Sequence, residues 1–286
     1  MHKSFNSSCT VLMEEAKPWH KNWPPNVSKT IKYPETPLHE LLEISAEKHP
    51  SQTAIFYLGK KITYNELDQY TNQFATALHN LGVKKGDRVA IYLPNIPQYI
   101  ISYYAVSKIG AINTAVSPLY KERELEHQIN DSGAETLIFL DTLYPIVKNV
   151  KSKTKLRNLI SASIGEYLPS AKRIIGGLLG RVPSHKIPSE EGINLFNRLL
   201  QGTRPELPKV EISPRDDLVA LQYTGGTTGM PKGAMLTHLN LVSNAVACAH
   251  WLHGKELKEA EEVFLTALPL FHIYGMTTAM NAPIYL

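Results

Sequence analysis

The residues best suited to chemistry lie between Tyr223 and Gly233, where the sequence is YTGGTTGMPKG. Four glycines, three threonines, a proline and a lysine stand together in this stretch, and so flexible a loop is costly to order. Glycines leave backbone N–H groups open to an anion, threonines add hydroxyl donors, and a lysine adds positive charge. Such groups suit a polyphosphate. The candidate binding residues are Thr224, Gly225, Gly226, Thr227, Thr228, Gly229 and Lys232.

The neighbours of Lys232 exclude two familiar phosphate loops. A Walker A loop needs Gly-Lys-Ser/Thr, whereas here Pro231 precedes the lysine and Gly233 follows it. The G-x-G-x-x-G spacing of a dinucleotide-binding loop is also absent from this stretch. The alternative interpretation is a flexible loop that only joins two strands of a hairpin.

Apolar runs alternate with helical patterns on both sides of this stretch. The predicted strands are TAIFYLG, RVAIYL, AINTAVS, ETLIFL, DLVALQY and VFLTALPL. The predicted helices are one that opens at Thr36-Pro37, one capped by Thr63 and Glu66, the segments IPQYIISYYAVSKIG and KERELEHQINDSG, and about Leu239 to His253. This alternation predicts an α/β fold of mostly parallel sheets covered by helices.

Composition shifts suggest three regions along the 286 residues. Residues 1–35 are rich in proline and aromatic residues and are predicted to form an N-terminal arm. Residues 36–286 are predicted to form one α/β domain. Within that domain the alternation breaks from about 152 to 212, where proline, glycine, basic residues and short apolar runs mix, and we expect an irregular insertion there.

The overall composition is that of a globular protein rather than a nucleic-acid binder. The formal charge of +4 is mild, and no arginine-rich stretch is present. No apolar run approaches the ~18 residues of a membrane span, and the first residues lack the apolar core of a signal peptide. Cys9 and Cys248 have no framework or metal-ligand spacing, so a reduced cytoplasm is the expected compartment.

Four blocks of the chain resemble the adenylate-forming superfamily of acyl-CoA synthetases, luciferases and peptide-synthetase adenylation domains. The glycine-rich stretch is similar to the family loop Y-T-S-G-T-T-G-x-P-K-G, with Gly225 in place of serine. The segments LPLFHIYG, ITYNEL and VAIYLPNIPQYIISYYAVSKIGAINTAVSPLY resemble further family blocks. Within the superfamily, the likeness is to bacterial long-chain fatty-acid–CoA ligases. It implies the large N-terminal domain of such an enzyme, in incomplete form.

The resemblance implies that ATP activates a fatty acid to acyl-AMP, with loss of pyrophosphate, before transfer to coenzyme A. Thr224 would be a Mg²⁺ ligand, and Thr227, Thr228 and Lys232 would contact phosphate. His272 would lie beside the acyl and phosphate site, with a purely structural histidine as the alternative, and Tyr274 and Gly275 would line the acyl entrance. Lys232 and His272 are therefore the candidate catalytic residues. A homodimer is also compatible with the resemblance.

Several parts of the family pattern do not occur in these 286 residues. They are the adenine-binding Y-G-x-T-E segment with its Mg²⁺-binding glutamate, a ribose-binding aspartate, and a C-terminal lid domain with its lysine. We therefore expect an N-terminal portion that is inactive by itself. The alternatives are an aryl- or amino-acid-activating enzyme and a non-catalytic truncated remnant.

A last feature lies at about 164–186, where short apolar groups stand among basic residues. Ile174, Ile175 and Leu179 occur close to Lys172 and Arg173. This pattern is typical of a segment that lies on an anionic membrane, and it predicts peripheral contact with the inner face of the cytoplasmic membrane. The alternative is an insertion that packs its apolar face on its own domain.

Overall fold

The fold was analysed in a computed structural model, which describes residues 17–188, 192–225, 230–253 and 261–286. A two-stranded antiparallel hairpin comes first, formed by β1 (Thr53–Tyr57) and β2 (Lys60–Thr63). The main sheet has seven strands in the order β7-β6-β5-β3-β4-β8-β9. Its strands are β3 (Arg88–Tyr92), β4 (Ile112–Ala115), β5 (Thr136–Leu140), β6 (Asn158–Ala162), β7 (Asn194–Leu195), β8 (Leu218–Thr224) and β9 (Lys232–Thr237). Every neighbouring pair is parallel except β8 and β9, so the predicted fold class is confirmed.

Helices follow most strands and cover both faces of the main sheet. They are α1 (Glu40–Lys48), α2 (Tyr64–Asn80), α3 (Pro97–Lys108), α4 (Glu122–Ser132), α5 (Tyr144–Lys151), α6 (Ser170–Leu178), α7 (Phe196–Gly202), α8 (His238–His253), α9 (Ile273–Met276) and α10 (Ala282–Tyr285), with a π-helical turn at Thr277–Asn281. The predicted capping box is present, since the Thr63 hydroxyl accepts from the backbone of Glu66 and the Glu66 carboxylate accepts from the backbone of Thr63. The first helix begins at Glu40 rather than at Thr36-Pro37, because Pro37 opens a turn that the Glu40 amide closes.

Strand alternation divides the apolar side chains between two cores. On β3, Val89 and Ile91 face the larger core, which includes residues of α1, α2, α3 and α8. Ala90 and Tyr92 face the smaller core, which includes residues of α4 and α5. Successive side chains of a strand point to opposite faces, so a central strand buried on both faces reads as one continuous apolar run.

The expected irregular insertion at 152–212 needs correction at both ends. Residues Asn158–Ala162 form β6, which pairs with β5 along five residues, and Asn194–Leu195 form β7 at the edge of the same sheet. These strands escape sequence analysis because they are short and lie among lysine-, proline- and glycine-rich neighbours. Residues 163–188, between them, carry short helical segments and no further strand.

The predicted strand VFLTALPL is wrong. Residues 263–270 form an extended but irregular segment, and the side chains of Val263 and Leu265 are 93% and 88% exposed. The sequence has the alternation of a strand, but no strand of the described residues pairs with it. Side chains of Asn95 and Tyr99 donate hydrogen bonds to its carbonyl groups instead.

The described part of the N-terminal arm is irregular apart from a 3₁₀ turn at Pro18–Asn22. The Trp23 indole N–H donates to the Val27 carbonyl at 2.8 Å, which folds the arm back on itself. The Trp23 ring also lies 4.7 Å from the Trp251 ring on α8. The arm is thus attached to the domain through aromatic packing. Residues 1–16 of the predicted arm lie outside the described part of the chain.

Candidate functional site

The two ends of the glycine-rich loop are fixed by a strand ladder. β8 and β9 are antiparallel neighbours, and their register places Thr224 opposite Lys232. Both residues are exposed, at the carboxyl end of β8. Directly opposed residues of an antiparallel pair project to the same face, so the side chains of Thr224 and Lys232 share one face at the base of the loop. Gly225 is exposed beside Thr224, whereas Gly226, Thr227, Thr228 and Gly229 lie outside the described residues.

Tyr223 anchors the base of this hairpin on the α4 side of the sheet. Its hydroxyl donates to the Asp131 carboxylate at 2.5 Å, and burial together with that carboxylate raises the Tyr223 pKa well above its usual value. A Cβ atom on Gly233 would lie 3.1 Å from the Tyr223 ring, so the last glycine of the stretch makes room for this ring. Gly233 therefore has a packing role, distinct from opening the backbone to an anion.

Helix α4 also contacts the second half of the loop. The His127 side chain lies 3.3 Å, through Nε2, from the carbonyl oxygen of Pro231. A cavity of about 230 Å³ lies here between α4 and Met230-Pro231, and Arg123 is among its lining residues. Sequence analysis missed Asp131 and His127, because no local pattern shows that the polar face of α4 meets the loop.

His272 is brought to the same end of the sheet by a side-chain hydrogen bond. The Gln222 side chain on β8 donates from Nε2 to the Phe271 carbonyl at 2.9 Å. Gln222 and Thr224 are two residues apart on one strand, so their side chains point to the same face. His272 is exposed, and its ring lies 5.0 Å from that of Phe271. Gln222 therefore holds the residue before His272 beside the end of β8, and the role of His272 itself stays a prediction.

The segment that carries His272 is held by residues that follow β3. Asn95 donates from Nδ2 to the carbonyls of Thr266 and Leu268 at 3.1 and 2.8 Å, and its Oδ1 accepts from the Leu270 amide at 2.9 Å. The Tyr99 hydroxyl donates to the Leu270 carbonyl at 2.9 Å. We call Asn95, Tyr99 and Gln222 the clamp. Sequence analysis did not single out these three residues as positioning groups.

Close packing requires a glycine at position 275, and the sequence alone does not show this requirement. A Cβ atom at this position would lie 2.2 Å from the Pro269 carbonyl oxygen, far inside contact distance. Gly275 is buried, and its lack of a side chain permits the close turn before α9. Tyr274 is exposed and free of that constraint.

The described residues supply one candidate Mg²⁺ ligand. The exposed Thr224 hydroxyl at the strand end fits that role, because Mg²⁺ takes oxygen ligands. No group of three or more His, Cys, Asp or Glu side chains in the described ranges could hold a metal ion. Further oxygen ligands would have to come from phosphate, water or residues outside those ranges.

A second, larger cavity lies away from the loop. It measures about 470 Å³ and is lined by β2, α2, α6, α7 and the turn at Ile164–Tyr167. Its charged lining residues are Lys60, Glu166 and Arg173, and none of its lining residues belongs to β8, β9 or the His272 segment. Selecting between these two cavities by volume would therefore indicate a different site from the one that the sequence motifs indicate.

Comparison with known proteins places this geometry in a family. The family described as AMP-binding enzyme matches residues 42–286. A long-chain-fatty-acid–CoA ligase of Bacillus subtilis is 38% identical over 276 residues, which cover 96% of this chain and 49% of the relative. A 4-coumarate–CoA ligase of Arabidopsis thaliana is 32% identical over 222 residues, which cover 78% of this chain and 36% of the plant enzyme.

The fold is also found in solved structures. A long-chain-fatty-acid-CoA ligase from Archaeoglobus fulgidus superposes with a TM-score of 0.71 at 26% identity, covering 90% of this chain and 46% of that one. The chain thus spans about half the length of the ligases it matches. With a family match that extends over most of its length, the chain belongs to the AMP-binding enzymes.

Proposed function

We propose that this chain is the nucleotide-binding part of an AMP-forming long-chain fatty-acid–CoA ligase. The complete enzyme would join a fatty acid to AMP, release pyrophosphate, and transfer the acyl group to coenzyme A. The observation that carries the proposal is the pairing of Thr224 with Lys232 across the base of the glycine-rich loop. Similarity to the Bacillus subtilis ligase along 96% of the chain supports the substrate class. A cytoplasmic location belongs to the same proposal.

The chemistry requires negative charge to be neutralised. A carboxylate is a poor nucleophile, and the phosphates of ATP repel it. Backbone N–H groups of Gly225, Gly226 and Gly229 and the hydroxyls of Thr227 and Thr228 would bind the phosphates. The Lys232 ammonium would stabilise the charge that develops on departing pyrophosphate. Preorganised donors of this kind act on the transition state more than on the ground state.

Two further groups belong to the proposal. Mg²⁺, when bound, would neutralise phosphate charge, and the Thr224 hydroxyl is its candidate ligand in this chain. His272 would contact the acyl-phosphate region, and the hydrogen bond from Gln222 to the neighbouring Phe271 carbonyl supports this assignment. The exposure of His272 leaves its ring available for that contact.

The test compares two half-reactions in the complete enzyme carrying Lys232→Ala. Turnover that starts from ATP should fall by about 100-fold or more, as for loss of a transition-state charge contact. Turnover that starts from supplied acyl-adenylate should change much less, because pyrophosphate has already left. Lys155→Ala is the matched control, an exposed lysine before β6, which lies four strands from β8 in the sheet. Equal losses in both half-reactions would remove Lys232 from its assigned role.

A second candidate is activation of an aryl acid. It is favoured by the similarity to the 4-coumarate–CoA ligase of Arabidopsis thaliana. Parallel assays of the complete enzyme with palmitate and 4-coumarate distinguish the two. Higher kcat/KM for palmitate supports the fatty-acid assignment, and the reverse order supports the aryl-acid one.

We further propose that the isolated 286-residue chain has no ligase activity. Removing several groups that act on one transition state costs many orders of magnitude in rate. The assay combines purified chain, palmitate, MgATP and coenzyme A. Detectable acyl-CoA above a Lys232→Ala control would contradict this proposal without touching the family assignment.

A further inference from the structure

The β1–β2 hairpin has a leucine where glycine or asparagine is expected. Leu58 has φ +49° and Gly59 has φ +101°, so both residues of the two-residue turn are left-handed. Such turns favour Asn-Gly, and a leucine in this region is strained. Burial offsets only part of this strain, since Leu58 is 53% exposed. An exposed apolar residue in a strained position points to a contact outside the described domain.

Helix α6 lies against this turn, and it and the residue that follows it expose further apolar side chains to solvent. The Lys172 ammonium donates to the Leu58 carbonyl at 2.9 Å, and a Cβ atom on Gly59 would lie 3.5 Å from Pro169. We define the tip-and-helix surface by its exposed apolar residues. These are Phe56 (67%), Leu58 (53%), Ile174 (59%), Ile175 (57%) and Leu179 (59%).

The described residues of the domain do not cover this surface. Gly176 contacts Val182 as the chain turns back after α6, with the Arg181 amide bonded to the Gly176 carbonyl at 2.8 Å. That contact leaves Ile174 and Ile175 pointing away from the domain. The alternative in which residues 164–186 pack their apolar face on their own domain is therefore wrong for these side chains.

The two segments that form this surface carry only positive charge. Residues 53–65 and 167–188 contain no aspartate or glutamate. Their exposed basic residues are Lys60, Lys61, Lys172, Arg173, Arg181 and Lys186. Two acids adjoin these segments, and each has a partner: the Glu66 carboxylate accepts from the Thr63 amide at 2.8 Å, and the Glu166 carboxylate accepts from the Gln98 side chain at 2.8 Å. The segments that carry the exposed apolar side chains thus also carry six exposed basic residues and no acid.

We propose that the tip-and-helix surface binds the face of an anionic lipid bilayer. Apolar side chains at the centre would enter the acyl boundary, and the surrounding cations would contact lipid phosphates. Each basic residue near an anionic surface strengthens binding by about fivefold. A second copy of the chain fits less well, because a two-fold contact would oppose the same cations to each other. This proposal requires no ligase activity.

The test is co-sedimentation of the folded chain with vesicles of phosphatidylcholine and phosphatidylglycerol, and with phosphatidylcholine alone. We expect binding to the anionic vesicles at low salt that falls at least tenfold at high salt, because screening removes the cation contribution. Leu58→Asn and the double variant Ile174→Gln/Ile175→Gln should each bind several-fold more weakly. Arg173→Glu/Arg181→Glu should bind at least tenfold more weakly.

Matched controls separate the surface from general effects. Leu119→Asn changes an exposed leucine before α4, and Lys155→Glu changes an exposed lysine before β6, so both should bind like the parent. Leu58→Asn suits the left-handed turn, so its thermal midpoint should equal or exceed that of the parent while its lipid binding falls. Loss of binding without loss of stability is the expected signature.

Three results would overturn the proposal. The parent chain could remain in the supernatant with anionic vesicles at low salt. Leu58→Asn and Ile174→Gln/Ile175→Gln could bind as tightly as Leu119→Asn. Sedimentation velocity could also show a dimer that Ile174→Gln/Ile175→Gln dissociates while vesicles do not bind, and the surface would then cover a second copy.

Discussion

The β8–β9 hairpin and the segment 264–276 carry the two halves of the candidate site, and they are positioned by different means. The hairpin is held by a backbone ladder, which places Thr224 opposite Lys232. The second segment has no ladder in the described chain and depends on side chains of the clamp. A ladder tolerates most changes of side chain, whereas a clamp fails when one side chain is lost. The site therefore has one robust half and one fragile half.

The largest effect should come from filling the close turn of the fragile half. Gly275→Ala puts a Cβ atom 2.2 Å from the Pro269 carbonyl oxygen, so the backbone must move. We expect the free energy of unfolding to fall by more than about 3 kcal/mol. Urea denaturation measures it. Gly177→Ala on α6 is the control, because nothing lies within 4 Å of its added Cβ and alanine favours a helix. Comparable losses in both variants would show that the turn at Gly275 is not special.

A smaller loss should follow from opening the clamp. Asn95→Ala removes three hydrogen bonds and leaves the buried Leu270 amide without its acceptor. We expect a loss of about 2–3 kcal/mol, and faster hydrogen exchange at Leu270 than at the β8 amides. Asn244→Ala, an exposed position on α8, should stay within about 0.5 kcal/mol of the parent. Unchanged exchange at Leu270 in the Asn95 variant would contradict the clamp.

Low pH should lower the stability of the β8–β9 hairpin half of the site through the histidine that follows β9. His238 follows β9, is fully buried, and accepts from the Leu38 amide through Nδ1 at 3.0 Å. Burial, aided by Lys85 and opposed by Asp217, lowers the His238 pKa to about 4. The unfolded chain then binds more protons than the folded chain between pH 6.5 and 4, so stability is lost as pH falls through this window.

The expected loss from His238 is about 2 kcal/mol between pH 7 and pH 5. His39 should add to it, because burial and the nearby Lys108 lower its pKa to about 3. His238→Asn keeps an acceptor for the Leu38 amide and removes the titration, so its stability should depend less steeply on pH. Urea midpoints at pH 7, 6 and 5 measure the difference. Parallel pH profiles for the parent and His238→Asn would show that the histidine is not the titrating group.

The smallest loss of stability should come from removing the hydrogen bond between the hairpin and α4. Tyr223→Phe removes one hydrogen bond to Asp131 but leaves the ring over Gly233 and the ladder intact. We expect a loss of about 1 kcal/mol in unfolding free energy. Thermal unfolding beside Asp131→Asn tests it, since that variant keeps an acceptor for the tyrosine. A loss from Tyr223→Phe as large as that from Asn95→Ala would abolish the distinction between the two halves.

The sequence predicted the parts of the fold that local patterns determine. The capping box at Thr63 and the central strand β3 follow from residue types within a few positions of each other. The predicted strand at 263–270 failed because a strand also needs a neighbour, which alternation alone cannot reveal. The roles of Asn95, Asp131 and Gln222 were missed for the same reason, since each acts on residues distant in sequence.

The most direct test of phosphate binding at the glycine-rich loop is a chemical-shift map of the chain titrated with inorganic pyrophosphate and Mg²⁺. The largest shifts should fall on the backbone amides from Thr224 to Gly233, and they should vanish in Lys232→Ala but persist in Lys155→Ala. Shifts centred instead on Lys60 and Arg173 at the 470 Å³ cavity, or shifts unchanged by Lys232→Ala, would contradict the assignment of the loop.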